Sequence, residues 1–183
     1  MAFHGSNSYN ETGLSKITDI VGWNLYQGWY GGDLTGFEKF LAQQHQNHPT
    51  HPMIVSEYGA GSDKRLHSLH PRAFDFSIEY QQKYLEHYLP VLEDTPYICG
   101  GTHWNFIDFS SALRDESMPR INNKGWFMPT VPRKMYITTI RQLGARTFRC
   151  YILPAATGQT VPACSKAMLP YICRSRYTPT FLR

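Results

Sequence analysis

The chain lacks several things that would each have pointed somewhere. Its 183 residues include four cysteines, Cys99, Cys150, Cys164 and Cys173, with no C-x-x-C pair and no regular spacing. Neither a zinc site nor a disulfide framework is therefore indicated, and no metal or cofactor is expected. No run approaches 18 consecutive apolar residues, and the first residues have neither a basic start nor an apolar core. A membrane span and an export signal are not expected, and the compartment is left open. No G-x-G-x-x-G follows any apolar run, which removes the sequence signal for a dinucleotide cofactor. The last absence is local. From Trp126 to Arg183 there are nine Lys or Arg and no Asp or Glu, so the formal charge of +4 belongs to that stretch, and nine cations face fourteen acids before it.

What is present is aromatic and periodic. Aromatic residues make up 14% of the chain, including 12 Tyr and 4 Trp, a content that suits stacking on a ring-shaped polar ligand as well as ordinary packing. Three segments share a rhythm: "ITDIVGWNLY" (17–26), "HPMIVSEYG" (51–59) and "YICGGTHWNF" (97–106) are apolar or β-branched runs that end in polar and aromatic residues. They read as buried strands with functional ends. Between the first two, Phe37, Phe40 and Leu41 share a helical face behind Thr35 as N-cap. Between the second and third, Ile78, Tyr84, Leu85, Tyr88, Leu89 and Leu92 fall at helical spacing.

Strand, helix, strand, helix, strand implies parallel strands with right-handed crossovers. A doubly wound sheet and a (β/α) barrel both satisfy that order. Carboxylate, Trp and His residues at each strand's C-terminal end favour the barrel, because a barrel enzyme builds its site there. The fold class expected is α/β, a partial (β/α)8 barrel of about strands 5–8, with a fourth strand stub at "MAFHGS" and an irregular C-terminal tail. Residues 1–125 form the barrel part and residues 126–183 the basic tail.

Glu57 follows Met53, Ile54 and Val55 and precedes Tyr58, Gly59 and Gly61. A carboxylate at the rim of a packed interior suits a nucleophile or a general acid, where a plain loop-start Glu would need no such setting. Asn24, Tyr26, Trp29 and Tyr30 follow the first strand, and Trp104, Asn105 and Asp108 follow the third. His45, His48 and His51 recur every three residues, but Pro49 interrupts any helix that would align them. They read as a solvated helix end, as do His67 and His70.

In this order and spacing, "ITDIVGWNLYQGWYGG", "PMIVSEYGAG" and "GGTHWNFIDFSSALR…INNKG" resemble glycoside hydrolase family 2, the β-galactosidase and β-glucuronidase family. The resemblance covers roughly residues 15–125. It implies a retaining glycosidase acting on a carbohydrate, with Glu57 as the nucleophile that attacks the anomeric carbon. Tyr26 corresponds to the tyrosine that hydrogen-bonds the nucleophile, Asn24 and Tyr30 to the sixth-strand loop, and Trp104 to the tryptophan under the sugar. Asn122 and Lys124 match the Asn-x-Lys that binds a glucuronide carboxylate. A β-galactosidase-like specificity is the leading expectation, with a β-glucuronidase or a catalytically inactive carbohydrate-binding fragment as alternatives.

Retaining hydrolysis needs a second carboxyl group about 5–5.5 Å from the nucleophile. The family's acid/base is a Glu after an Asn at the end of the fourth strand, and the resemblance places that position upstream of Met1. Asn10-Glu11 reads instead as part of a Gly/Ser-rich loop. The family pattern also lapses at "WFMPTVPRKMYITTI". Codons read from the third base of each, beginning at Met128, permit A-D-R-T-P-K-D-V-Y-Y-Y-Y, which is family-like. Residues 126–183 are accordingly expected to be out-of-frame translation, and their scattered basic residues do not form the stripe that nucleic-acid binding needs.

Overall fold

Residues 1–127 are described by the structure, a computed structural model of the chain. The three predicted runs and the N-terminal stub become four strands: β1 (Ala2–His4), β2 (Val21–Asn24), β3 (Met53–Tyr58) and β4 (Ile98–His103). They pair in the order β1-β2-β3-β4, every pair parallel. Spatial order equal to chain order means that the sheet winds one way without a switch point. That is an arc of a barrel and not a doubly wound sheet.

The crossovers are α1 (Ser8–Glu11) with a 3-10 turn at Leu14–Lys16, then α2 (Gly36–Asn47), then α3 (Ile78–Asp94). The stretch around Asn10-Glu11, expected as a loop, is thus a single helical turn, and Glu11 lies exposed on it. α2 forms with Phe37 and Leu41 buried and Phe40 edge-on to Trp23 at 5.2 Å. Thr35 occupies the N-cap position but its side chain caps nothing. The Asp33 carboxylate takes that part, accepting from the Gly36 amide at 3.2 Å. Asp reaches an orphan first-turn N–H as well as Thr does, and it carries a charge suited to the helix N-terminus.

α3 starts at Ser77, whose hydroxyl accepts from the Tyr80 amide at 3.1 Å. Ile78, Tyr84, Leu85, Tyr88 and Leu89 are buried as the spacing predicts, whereas Leu92 is half-buried at the edge of the core. Rings join this helix to the sheet and to α2: Tyr88 stacks on Phe37 at 3.8 Å, on Tyr84 at 4.1 Å and on Tyr58 at 5.7 Å. Truncating a fully buried side chain here, for example Leu85→Ala, removes transfer energy and leaves a cavity, at a cost of about 2–5 kcal/mol.

Beyond β4 the chain makes a two-residue antiparallel pair, β5 (Phe109–Ser110) with β6 (Ile121–Asn122). Trp126 and Phe127, the first two residues of the expected tail, are described and packed. Trp126 is buried and its indole N–H donates to His103 Nε2 at 3.2 Å, while both backbone amides donate to the Phe106 carbonyl. The remaining residues of that tail, and with them the codon-frame expectation from Met128 on, lie outside the described residues.

Candidate active site

Glu57 sits where the regular ladder breaks. Trp23 pairs with Val55 but Asn24 pairs with Glu57, so Ser56 is the extra residue of a bulge. Bulges re-aim side chains at the ends of strands. Ser56 Oγ donates to Asn24 Oδ1 at 2.7 Å, and the Leu25 amide donates to the Glu57 carbonyl at 2.8 Å, which fixes the backbone on both sides of the carboxylate. The Tyr26 hydroxyl donates to Glu57 Oε2 at 2.8 Å. Burial, and then the charge and hydrogen bond of Glu57, push the Tyr26 phenol far above its ordinary range, so it stays a donor at any working pH. Gly59 is required two residues on: a Cβ there would lie 2.2 Å from the Trp104 carbonyl oxygen.

A cation occupies the other end. Lys124 follows β6 and is 1% exposed. Its ammonium donates to the Tyr30 hydroxyl at 2.7 Å and lies 4.7 Å from the Tyr30 ring, 5.6 Å from Trp29 and 5.8 Å from Tyr26. No carboxylate forms a salt bridge with it among the described residues. Burial pulls the Lys124 ammonium below its ordinary range, Tyr30 opposes that, the nearby Arg114 charge adds to it, and the Glu116 carboxylate opposes it again. Arg114 Nη2 donates to the same Tyr30 oxygen at 3.1 Å while its other arm holds Glu116 at 2.7 Å. Two cations therefore converge on one phenol oxygen. Tyr30, 52% exposed, lies 5.3 Å from Tyr26 ring to ring. Carboxylate and ammonium thus stand at opposite ends of a pair of tyrosines.

The loop that carries Lys124 is fixed by Asp108. Its carboxylate accepts from the Gly125 amide at 2.8 Å, and its own amide donates to the Phe127 carbonyl at 2.8 Å. A Cβ on Gly125 would come within 2.3 Å of the Asp108 nitrogen, so only glycine admits this approach. Asn122 is buried and its Oδ1 accepts from the Lys124 amide at 3.4 Å.

The structure thus joins Glu57 with Tyr26 and Asn24, and Lys124 with Tyr30 and Asn122. Trp104 stands at the end of the next strand, its amide donating to the Tyr58 carbonyl at 2.8 Å and its ring edge-on to Phe109 at 6.0 Å. The histidine triplet is not brought together as a cluster: His45 stacks on Tyr97 at 4.1 Å and His51 bonds the Thr18 carbonyl at 2.9 Å. Arg114 falls inside a quoted motif but had no role assigned to it. It lies in an irregular stretch with no periodicity, six residues past Asp108, and its only signal was its place at the end of "GGTHWNFIDFSSALR".

The chain matches the model of the glycosyl hydrolases family 2 TIM barrel domain over residues 7–142. It is similar to a β-glucuronidase of Bacteroides fragilis, 34% identical over 136 residues, covering 71% of this chain and 19% of that protein. A β-glucuronidase of Mus musculus is 38% identical over 136 residues, covering 69% and 20%. Among solved structures, β-glucuronidase 2 of Bacteroides uniformis, covalently bound to cyclophellitol-6-carboxylate aziridine, matches with a TM-score of 0.72 and 94% identity over 73% of this chain and 16% of that one. The chain spans about a fifth of the length of the curated relatives it matches. These relatives carry the glucuronidase name, the second of the two specificities expected from the sequence, and not the galactosidase name that led. The chain belongs to glycosyl hydrolase family 2, and residues 1–127 hold part of its TIM barrel.

Proposed function

We propose that this segment carries the nucleophile and the glycone-recognition wall of a retaining β-glucuronidase. Glu57 attacks the anomeric carbon, the bond to the leaving-group oxygen breaks, and a covalent glycosyl-enzyme forms that water later hydrolyses. Tyr26 holds one oxygen of Glu57 and leaves the other to react. Trp104 offers an apolar face to the sugar, and Asn24 keeps the bulge in register through Ser56. The acid/base carboxyl is assigned to no residue of this chain, and the 183-residue chain by itself is expected to turn over no aryl glycoside.

The observation that carries the specificity is the buried ammonium of Lys124 with no carboxylate partner among the described residues and the Arg114 guanidinium beside it. A buried cation with no direct ion pair costs free energy, and an arriving carboxylate offsets that cost where a neutral hydroxymethyl group does not. The relatives' name agrees, as does the carboxylate-bearing compound covalently bound in the Bacteroides uniformis protein. The test is kinetic: a complete family 2 barrel carrying residues 7–127 is assayed on aryl β-glucuronide and aryl β-galactoside. A glucuronide preference that collapses in Lys124→Met supports the reading, and equal turnover of both sugars sinks it.

A further inference from the structure

Three tyrosines of α3, Tyr80, Tyr84 and Tyr88, recur every four residues and so lie along one face of the helix. All three are buried. Spacing alone makes them core residues, yet each hydroxyl ends at the backbone of the loop that follows β2. Tyr80 donates to the Gly28 carbonyl, Tyr88 to the Gln27 carbonyl at 2.9 Å, and Tyr84 reaches the Leu25 carbonyl at 3.4 Å while accepting from the Gly59 amide at 3.3 Å. These three carbonyls bracket Tyr26. The same loop is closed by its own turn, in which the Trp29 amide donates to the Tyr26 carbonyl at 2.9 Å and the Gly28 amide to the Gly31 carbonyl at 2.9 Å. A loop carbonyl facing the helix layer needs a donor, and the sheet supplies none there.

We infer that Tyr80 and Tyr88, with Tyr84 between them, are positioning residues: they hold the loop of residues 25–31 from behind so that the Tyr26 hydroxyl meets Glu57. The inference rests on the reading of Glu57 and Tyr26 given above. Burial keeps these phenols protonated, Tyr84 and Tyr80 among them, so the three remain donors. The ladder therefore transmits the placement of α3 to the nucleophile across the sheet, and replacing a hydroxyl by hydrogen loosens Tyr26 while the rings still fill the core.

The test follows the Tyr26 hydroxyl proton by NMR in the 183-residue chain, with ring-labelled tyrosine and the Glu57→Gln variant used for assignment. Tyr80→Phe and Tyr88→Phe, singly and together, are expected to speed exchange of that proton by about fivefold for each hydroxyl removed, the equivalent of one ordinary hydrogen bond. Tyr97→Phe, whose ring stacks on His45 away from the loop, is expected to leave it unchanged. Far-UV circular dichroism reports whether each variant is folded, and the single variants carry the test where the double one is not. Unchanged exchange in the folded ladder variants overturns the inference, as does an equal acceleration in Tyr97→Phe. The readout contains no sugar and no turnover, so a failed glucuronide preference and a failed ladder are separate outcomes.

Discussion

The two ends of the site are built on different principles. Glu57 stands at the end of a parallel strand with neighbours on both sides, gripped by a tyrosine and backed by helix α3. Lys124 stands on a loop after a two-residue strand, surrounded by three aromatic rings, one of them bearing the hydroxyl that accepts its hydrogen bond, with the Arg114–Glu116 pair close by. One oxygen of the carboxylate end is held by Tyr26 before any ligand arrives. The ammonium end has no direct ion pair among the described residues, and in the proposed reading a glucuronate carboxylate supplies one. In the proposed reading, reactivity belongs to the sheet and selectivity to a buried cation that has no direct ion pair among the described residues.

Either end can be removed separately in a complete family 2 barrel carrying residues 7–127. Glu57→Gln removes the attacking oxygen and is expected to abolish covalent labelling by a carboxylate-bearing cyclophellitol aziridine, read by intact-protein mass spectrometry. Lys124→Met comes next: losing a hydrogen bond to a charged group, about 1.5–3 kcal/mol, should weaken glucuronide kcat/KM by about 10- to 100-fold and leave galactoside kcat/KM nearly unchanged. The same substitution should raise thermal stability by about 1 kcal/mol, because it replaces a buried charge that has no direct ion pair with an apolar chain. Tyr26→Phe removes the other ligand of the site and should slow both sugars alike, by about tenfold. A galactoside rate that falls with Lys124→Met would erase the division between the two ends.

The pH dependence has a defined sign. The Lys124 ammonium is pulled below its ordinary range by burial. It binds an anion only while protonated, so affinity for glucuronate should be full below the folded-state pKa and lost as pH rises through it. Stability runs the other way: the unfolded chain binds more protons between the folded value and the ordinary one, so stability should rise with pH across that window. Calorimetric titration with glucuronate and thermal melts across the alkaline range check the two slopes.

Much of this was legible before the structure because barrels place chemistry where strands stop. Glu57, Asn24 and Trp104 each ended an apolar run, and period and position agreed. The tyrosines of α3 were legible only as core, since a hydroxyl that donates to a backbone carbonyl 52 or 61 residues away leaves no side-chain pattern to read. Arg114 was hidden for a related reason: it lies in an irregular stretch, and its partner Tyr30 is 84 residues away. The cap of α2 shifted from Thr35 to Asp33 because both residues can reach the first turn and local sequence does not choose between them.

In the proposed division, the Lys124 end selects a carboxylate while the Glu57 end performs chemistry common to both sugars. The most direct measurement is the ratio of kcat/KM for aryl β-glucuronide and aryl β-galactoside in the complete barrel, with Lys124 and with Met in its place. The ratio is expected to favour glucuronide and to fall by about 10- to 100-fold in the variant through the glucuronide value alone. A ratio near unity, or one that survives the substitution, contradicts that division of roles.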